Sequence, residues 1–437
     1  MQYRQDSEKM MDFINKSPSP YHVIENIRQE LRQAGFCELY ENRRWELEFK
    51  KSYFVVRNDS AVIAFTTGDE NVHGFNIVAA HCDSPCFKIK NNPENFSSGY
   101  ITLNTEKYGG MIMSAWLDRP LSVAGRVITE TNGELKTHLV NIDRDLLIIP
   151  NLAIHMNREI NKGYEYNPAK DMMPLFATQM GQGQNGSSQT NNETTEKDRF
   201  NRLIATQAGV DASEILAMDL FVYNRMKGTF IGMDSEFIAS PKLDDLQCVY
   251  ASITALKEAD VSTRTNICCV FDNEEVGSRS LQGADSDFLS LVTERIYNSL
   301  GYDREDYLMA LADSFMISAD NAHGVHPNHP QMADSANKPY LNGGIVIKSN
   351  GEQRYTTDAY SQARMISLCR KADVPYQTYA NRSDIPGGST LGNISISQVS
   401  VHMADIGLAQ LAMHSPCETA GVKDVSYMIQ LIKTFYK

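Results

Sequence analysis

The chain has 437 residues, more than one small core can use, so two domains or one large domain with an insertion is the natural expectation. A formal charge of -13, with no basic block to interrupt it, argues against a nucleic-acid or anionic-membrane partner and for a small one. The first ten residues, MQYRQDSEKM, are polar with no apolar stretch behind them, and no apolar run is long enough to span a bilayer. These features predict a cytoplasmic protein that contacts neither membrane nor nucleic acid. The eight cysteines form no CxxC pair and several sit in apolar segments, which predicts buried reduced thiols.

In chain order, Val23, Ile24, Ile27 and Leu31 follow helical spacing after Ser-Pro-Ser-Pro and stop at Gly35, so the first predicted helix begins at Tyr21. Tyr53–Val56 and Ala61–Thr66 read as a hairpin across Asn58-Asp59. Phe75–His81, FNIVAAH, reads as a strand covered on both faces. It delivers His81 and Asp83, two residues apart and pointing the same way in extended chain: His81 as a candidate metal ligand, Asp83 as the group that orients it. A lone HxD is equally compatible with a satisfied core histidine beside a turn.

Beyond Lys90 the texture changes to short alternating runs, Tyr100–Leu103, Ile112–Ser114, Leu121–Thr129 and Thr137–Asn141, broken by Gly109-Gly110 and Asn132-Gly133. Composition therefore marks a second, antiparallel domain. In IPNLAIHMNREI, His155 has apolar neighbours, the setting of a core histidine. Gln179–Lys197 is almost devoid of apolar residues and reads as a mobile loop. The α/β texture then resumes, with a short helix at Ala212–Met218, a strand at Asp219–Tyr223 and another at Phe237–Ser240. In KLDDL, Asp244 stands at the start of a helix; two successive aspartates leave one for capping and one for a metal.

CCVFDNEEVG, starting at Cys268, ends a buried strand in Asp272, Glu274 and Glu275, where open α/β sheets place their chemistry. Two adjacent carboxylates can divide the work, Glu275 holding a metal and Glu274 moving a proton. An isolated Glu-Glu pair is more often a solvated acidic turn. Leu281–Leu300 reads as a long helix and Phe315–Ala319 as a buried strand ending at Asp320. His323, His326 and His329 follow, but Gly324 and Pro327 forbid the helix that would align them as a ligand set. The remainder predicts a strand at Gly344–Lys348, a helix at Thr357–Ala372, a glycine-rich turn PGGST that lacks the lysine and spacing of a phosphate loop, and a last helix at Val425–Tyr436.

The acids and imidazoles at strand ends are thus His81, Asp244, Glu274, Glu275, Asp320 and His414. Two zinc-type ions roughly 3.5–4 Å apart need a shared carboxylate and about one further carboxylate and one histidine apiece. These residues fill such a centre and leave one glutamate over.

At this point the chain resembles the zinc aspartyl aminopeptidases, the aminopeptidase I family of di-zinc exopeptidases. The pieces that carry the resemblance are HCDSPC at His81, IPNLAIHMNREI at Ile149, KLDDL at Lys242, DNEEVGS at Asp272, SADNAHGVHPNH at Ser318, VIKSNGEQRY at Val346 and LAMHS at Leu411. They occur in family order over nearly the whole chain. The resemblance implies an α/β di-zinc exopeptidase-type catalytic domain, a mixed sheet flanked by helices, formed by residues 1–90 and 233–437. A mainly β dimerisation domain, 91–232 with the loop 179–197, is inserted into it.

By the same resemblance His81, Asp244 and Asp320 hold one metal and Asp244, Glu275 and His414 the other, with Glu274 as general base. Two zinc ions per subunit are implied, cobalt or manganese being possible substitutes. Dimers assemble into a tetrahedral shell of twelve subunits, in which His155 reaches a neighbouring active site. His323, Lys348 and Tyr355 match positions that contact substrate, and a lysine there suits an acidic side chain. The implied activity is removal of N-terminal Asp or Glu from peptides. The alternatives are a neutral, hydrophobic or basic preference, or a shell whose site is idle. Cys82, Asp245 and Arg279 depart from the family pattern, where threonine, asparagine and glutamate are familiar.

Overall fold

A computed structural model describes residues 2–179, 198–388 and 390–437. The expected mobile tract Gln179–Lys197 lies, from residue 180 onward, outside the described residues. The chain forms two compact units, one of Met1–Ser84, Lys227–Met413 and Cys417–Lys437, the other of Pro85–Met226 and His414–Pro416.

The first unit is built on a mixed sheet. Phe75–His81 runs parallel to Thr265–Phe271 on one side and to Phe315–Ala319 on the other, and His402–Leu411 extends the parallel set beyond Phe315–Ala319. Ala61–Thr66 lies antiparallel on Thr265–Phe271 and forms the expected hairpin with Ser52–Arg57. Every residue of Phe75–His81, Thr265–Phe271 and Phe315–Ala319 is buried, which is why these strands read as mostly apolar runs without alternation. Their side chains alternate between two cores. Val78, Cys268 and Ile317 pack with the helices Gln2–Asn15, Pro20–Gln33, Leu243–Glu258, Ala359–Lys371 and Asp424–Phe435. Ile77, Cys269 and Met316 pack with Phe288–Ser299, Arg304–Ala312 and Leu391–Ser395 on the other face.

Because four strands run parallel, their carboxyl ends leave the sheet along one edge. His81 is the register partner of Phe271, and Ala319 that of Ile406, so the loops carrying the acids start side by side. Phe271 is fully packed, and its truncation to alanine costs about 3–5 kcal/mol while loosening the root of the acidic loop.

The second unit is a six-stranded antiparallel sheet in the order Glu134–Asn141, Leu121–Thr131, Ile215–Asn224, Cys86–Ser97, Tyr100–Tyr108, Leu175–Thr178. Its own core gathers Phe87, Leu103, Trp116, Val123, Phe200 and Leu220.

Several elements differ from expectation. Helix Gln2–Asn15 is additional; its apolar side chains crowd into the last turns as Met10, Met11, Phe13 and Ile14, too few for a periodic signal. The helix expected from Leu281 begins only at Phe288, because residues 278–286 fold into turns in which Ser278 O accepts from Asp285 N. Ile112–Ser114 is no strand: Met113–Trp116 is a single 3-10 turn. Ala212–Met218 is a short 3-10 turn, Ala212–Glu214, running directly into strand Ile215–Asn224.

Candidate metal centre

His81 ends its strand almost fully buried. Its Nδ1 lies 3.1 Å from the main-chain oxygen of Asp83, an obligate acceptor, so Nδ1 carries a proton and Nε2 is the nitrogen left for a metal. Nε2 faces Asp244 Oδ1 at 3.5 Å. Burial opposes a charged imidazole, but Asp244, Asp83 and the surrounding acids raise its pKa well above the usual value.

Asp244 stands in a broken helical start. Helix Leu243–Glu258 takes Lys242, with φ 55°, as its N-cap without a side-chain hydrogen bond, and Asp244 and Asp245 have non-helical dihedrals. The regular helix therefore begins only past this pair. Asp245, fully buried, accepts the His81 main-chain N–H through Oδ2 at 3.2 Å. The main chain of Asp244 is held on both sides: its N–H donates to Glu418 Oε2 at 3.0 Å, and its carbonyl accepts from Ser84 Oγ at 2.9 Å.

Glu274 and Glu275 open a single 3-10 turn after Asn273, whose φ of 62° swings the chain out of the strand. Their N–H groups donate to the two oxygens of Asp83, at 3.0 Å and 3.1 Å. Asp83 thus faces the His81 imidazole from one side, 3.4 Å from Nδ1, and the acidic turn from the other. Burial, with the neighbouring carboxylates adding to it, pushes Glu274 up to about 8 and Glu275 well above the ordinary value.

Ligand atoms of His81, Asp244 and Asp320 all lie within 4.8 Å of one another, and the same holds for His81, Glu274 and Glu275 and for Asp244, Glu275 and His414. Burial also raises Asp245 and Asp320, so carboxylates crowd here with their acid forms favoured. Such a crowd of buried like charges is costly unless a cation shares it, and a donor set of carboxylate oxygens and imidazole nitrogens suits a divalent ion of the zinc type. The residues present fit that group.

Lys348 is 2% exposed, donating to the main-chain oxygens of Asp320 at 2.9 Å and Asn321 at 3.3 Å, with Asp320 Oδ2 3.7 Å away. Its ammonium sits 5.2 Å from the Tyr355 ring centroid, and the rings of Tyr355 and His323 both approach Tyr379. Lys348, Tyr355 and His323 are thus brought to one neighbourhood beside Asp320.

His155 is no core residue. It lies exposed in the second unit with Leu152, Ile154 and Met156, which are exposed too, so an apolar neighbourhood in sequence here marks a bare surface segment. His326 and His329 are exposed with rings 5.1 Å apart and enter none of the three ligand groups. Of the departures from the family pattern, Arg279 is 88% exposed beside Asp285, and Cys82 is buried with Sγ on Ser60 O.

Sequence reading passed over three polar residues that surround Asp244: Asn321, Gln410 and Glu418, all buried. Glu418, an acid four residues past His414 in an otherwise uncharged stretch, was the signal that could have found them.

A parallel-sheet edge that gathers imidazoles and carboxylates around a cation-sized focus defines a metallohydrolase of the α/β class. The family model described as aminopeptidase I zinc metalloprotease (M18) matches residues 13–436, and the chain belongs to this M18 family of zinc aminopeptidases. It is similar to a probable M18 family aminopeptidase 2 of Clostridium acetobutylicum, 46% identical over 435 residues and covering 98% of both chains. A protein of the same name from Pseudomonas paraeruginosa is 38% identical over 436 residues, covering 98% of this chain and 97% of that one. Among solved structures, the Ape4 and Nbr1 complex matches with a TM-score of 0.94 at 34% identity, over 100% of this chain and 86% of that one. The mApe1 dodecamer of S. cerevisiae matches with a TM-score of 0.84 at 27% identity, over 100% and 97%. No described helix is long and apolar enough to cross a membrane.

Proposed function

We propose that this enzyme removes single residues, Asp or Glu by preference, from the amino termini of peptides at a centre of two divalent cations. The ions are zinc, with cobalt or manganese as substitutes. His81, Asp244 and Asp320 hold one, and Asp244, Glu275 and His414 the other, with Asp244 shared. The observation that carries this reading is the overlap of the ligand groups: Asp244 belongs both to the group with His81 and Asp320 and to the group with Glu275 and His414, as a carboxylate shared by two adjacent ions requires.

When bound, the ions supply Lewis acidity toward the scissile carbonyl and lower the pKa of water. Glu274 takes the proton from the attacking water and delivers it to the leaving amine. Its carboxyl, whose acid form is stabilised by burial, has the proton affinity for that task, and Asp83 fixes the turn that aims it. Asp83 also holds the His81 tautomer that leaves Nε2 available.

His155 acts in a neighbouring subunit's site, supporting the oxyanion, which makes the second unit a dimerisation domain within a tetrahedral dodecamer. Its exposed apolar segment and the dodecameric form of mApe1 support that reading. Eight free thiols fit a cytoplasmic enzyme.

The acidic preference rests on the field of the buried Lys348 ammonium, with Tyr355 and His323 beside it. Two of its donors are spent on main-chain carbonyls of Asp320 and Asn321, and this favours a second reading in which the ammonium only neutralises Asp320 and the enzyme prefers neutral or hydrophobic residues. Rates on Asp-, Leu- and Lys-initiated peptides separate the two. Unblocked and N-acetylated acidic peptides test the exopeptidase reading: only the unblocked ones are cleaved, and equal cleavage overturns it.

A further inference from the structure

Around Asp244 the buried side chains of Asn321, Gln410 and Glu418, each no more than 3% exposed, form a closed ring on a single peptide group. Asn321 Nδ2 donates to Leu243 O at 2.7 Å and to Gln410 Oε1 at 3.0 Å. Gln410 Nε2 donates to Glu418 Oε1 at 3.4 Å, and Glu418 Oε2 accepts the Asp244 N–H at 3.0 Å. Leu243 O and Asp244 N belong to the same peptide unit, so the ring leaves that plane at one end and returns to it at the other.

We propose that Asn321, Gln410 and Glu418 are positioning residues that fix the peptide preceding Asp244, and through it the carboxylate shared by the two metals. The inference rests on the reading of this site as a metal centre. The ring joins three segments that carry candidate ligands: Leu243 and Asp244 ahead of the helix, Asn321 next to Asp320, and Gln410 and Glu418 on either side of His414. Asp244 and Asp245 have non-helical dihedrals, so this plane lies outside the regular ladder of helical bonds.

The ring has a polarity. Leu243 O can only accept, so the Asn321 nitrogen must face it; the Asp244 N–H can only donate, so it needs a Glu418 oxygen. Between these fixed ends each link runs donor to acceptor, and the carboxylate is the one member that accepts on both sides. An amide at 418 breaks this order. If its oxygen serves Asp244, its nitrogen meets the Gln410 nitrogen, and turning Gln410 over only moves the conflict to Asn321. Exchanging the two side chains restores it: a carboxylate at 410 accepts from both Asn321 and an amide at 418, whose oxygen still serves Asp244.

The test is cobalt(II) titration of the metal-stripped full chain, followed by affinity and by the visible d–d spectrum, on the parent, E418Q and the double variant E418Q/Q410E. In E418Q cobalt affinity falls by about tenfold or more and the spectrum changes, in line with the usual effect of losing support for a ligand. The double variant regains the parental spectrum and an affinity within about threefold of the parent. Parental binding by E418Q, or a double variant no better than E418Q, overturns the proposal. If E418Q does not fold, the double variant decides alone: a parental spectrum supports the ring, an altered one overturns it. A parent that takes up no cobalt sinks the metal-centre reading itself, a different outcome from either.

Discussion

Asp83 receives the main-chain N–H of Glu274 on one carboxylate oxygen, while the other oxygen receives that of Glu275. One residue thus sets the pose of the acidic turn with its side chain and the orientation of the His81 ring with its main-chain oxygen. Asp83→Ala removes both acceptors of the turn and the carboxylate beside His81 Nδ1, while the main-chain oxygen stays. Metal affinity is expected to fall roughly 10–100-fold, measured by competition with a chromogenic chelator, while the fold persists by circular dichroism. Unchanged affinity would show that Asp83 orients nothing.

Glu274→Gln keeps size and hydrogen-bonding reach but removes the basic carboxylate. Turnover on an acidic peptide is expected to drop by at least ~10²-fold with metal content intact. The same protein stripped by chelator should lose activity and recover it with added zinc or cobalt, whereas the Gln variant recovers nothing. Appreciable turnover by the variant would mean another group moves the proton.

Lys348→Met separates the two substrate readings. If the buried ammonium attracts an acidic side chain, kcat/KM falls about tenfold or more on Asp-initiated peptides and little on Leu-initiated ones. If Lys348 serves Asp320 alone, both fall together. The ratio of the two rates is the measurement.

Asp424 gives a pH effect away from the centre. Its buried carboxyl accepts from Asn342 N at 2.7 Å and Gly344 N at 2.9 Å, yet burial outweighs these bonds and lifts its pKa from 3.8 to about 7. A raised carboxyl means that the folded state binds the proton more tightly than the unfolded one. The contribution is fully present below about pH 4 and is lost as pH rises through about 7. Relative to D424N, which cannot titrate, the parent should therefore lose melting temperature steadily between pH 5 and 8 on the order of a few degrees. A constant difference across that range would place the titration elsewhere.

How much of this was legible beforehand follows from where each signal lives. Phe75–His81 and Phe315–Ala319 could be read to the residue, because a strand covered on both faces is mostly apolar and has little alternation to blur its ends. The acids just past such strands were legible for the same reason. Helix Gln2–Asn15 was not, since only its last turns touch the core, and Leu281 misled because an apolar residue in a turn looks like the first residue of a helix. His155 was misread from its apolar neighbours, which face outward with it. Asn321, Gln410 and Glu418 had no motif to announce them: their partners lie across the fold, and amides in apolar strands look like noise until the ring closes.

The Asp320 N–H donates to Ile406 O at 3.0 Å, and Phe315–Ala319 is flanked on one side by His402–Leu411, which the ribosome adds late. A nascent chain that ends short of His402 has His81, Asp244 and both glutamates, and can pair Phe315–Ala319 with Phe75–His81, but it lacks the strand whose Ile406 O receives the Asp320 N–H. On the proposed ligand set such a chain also lacks His414, so the complete centre can form only when synthesis is nearly finished.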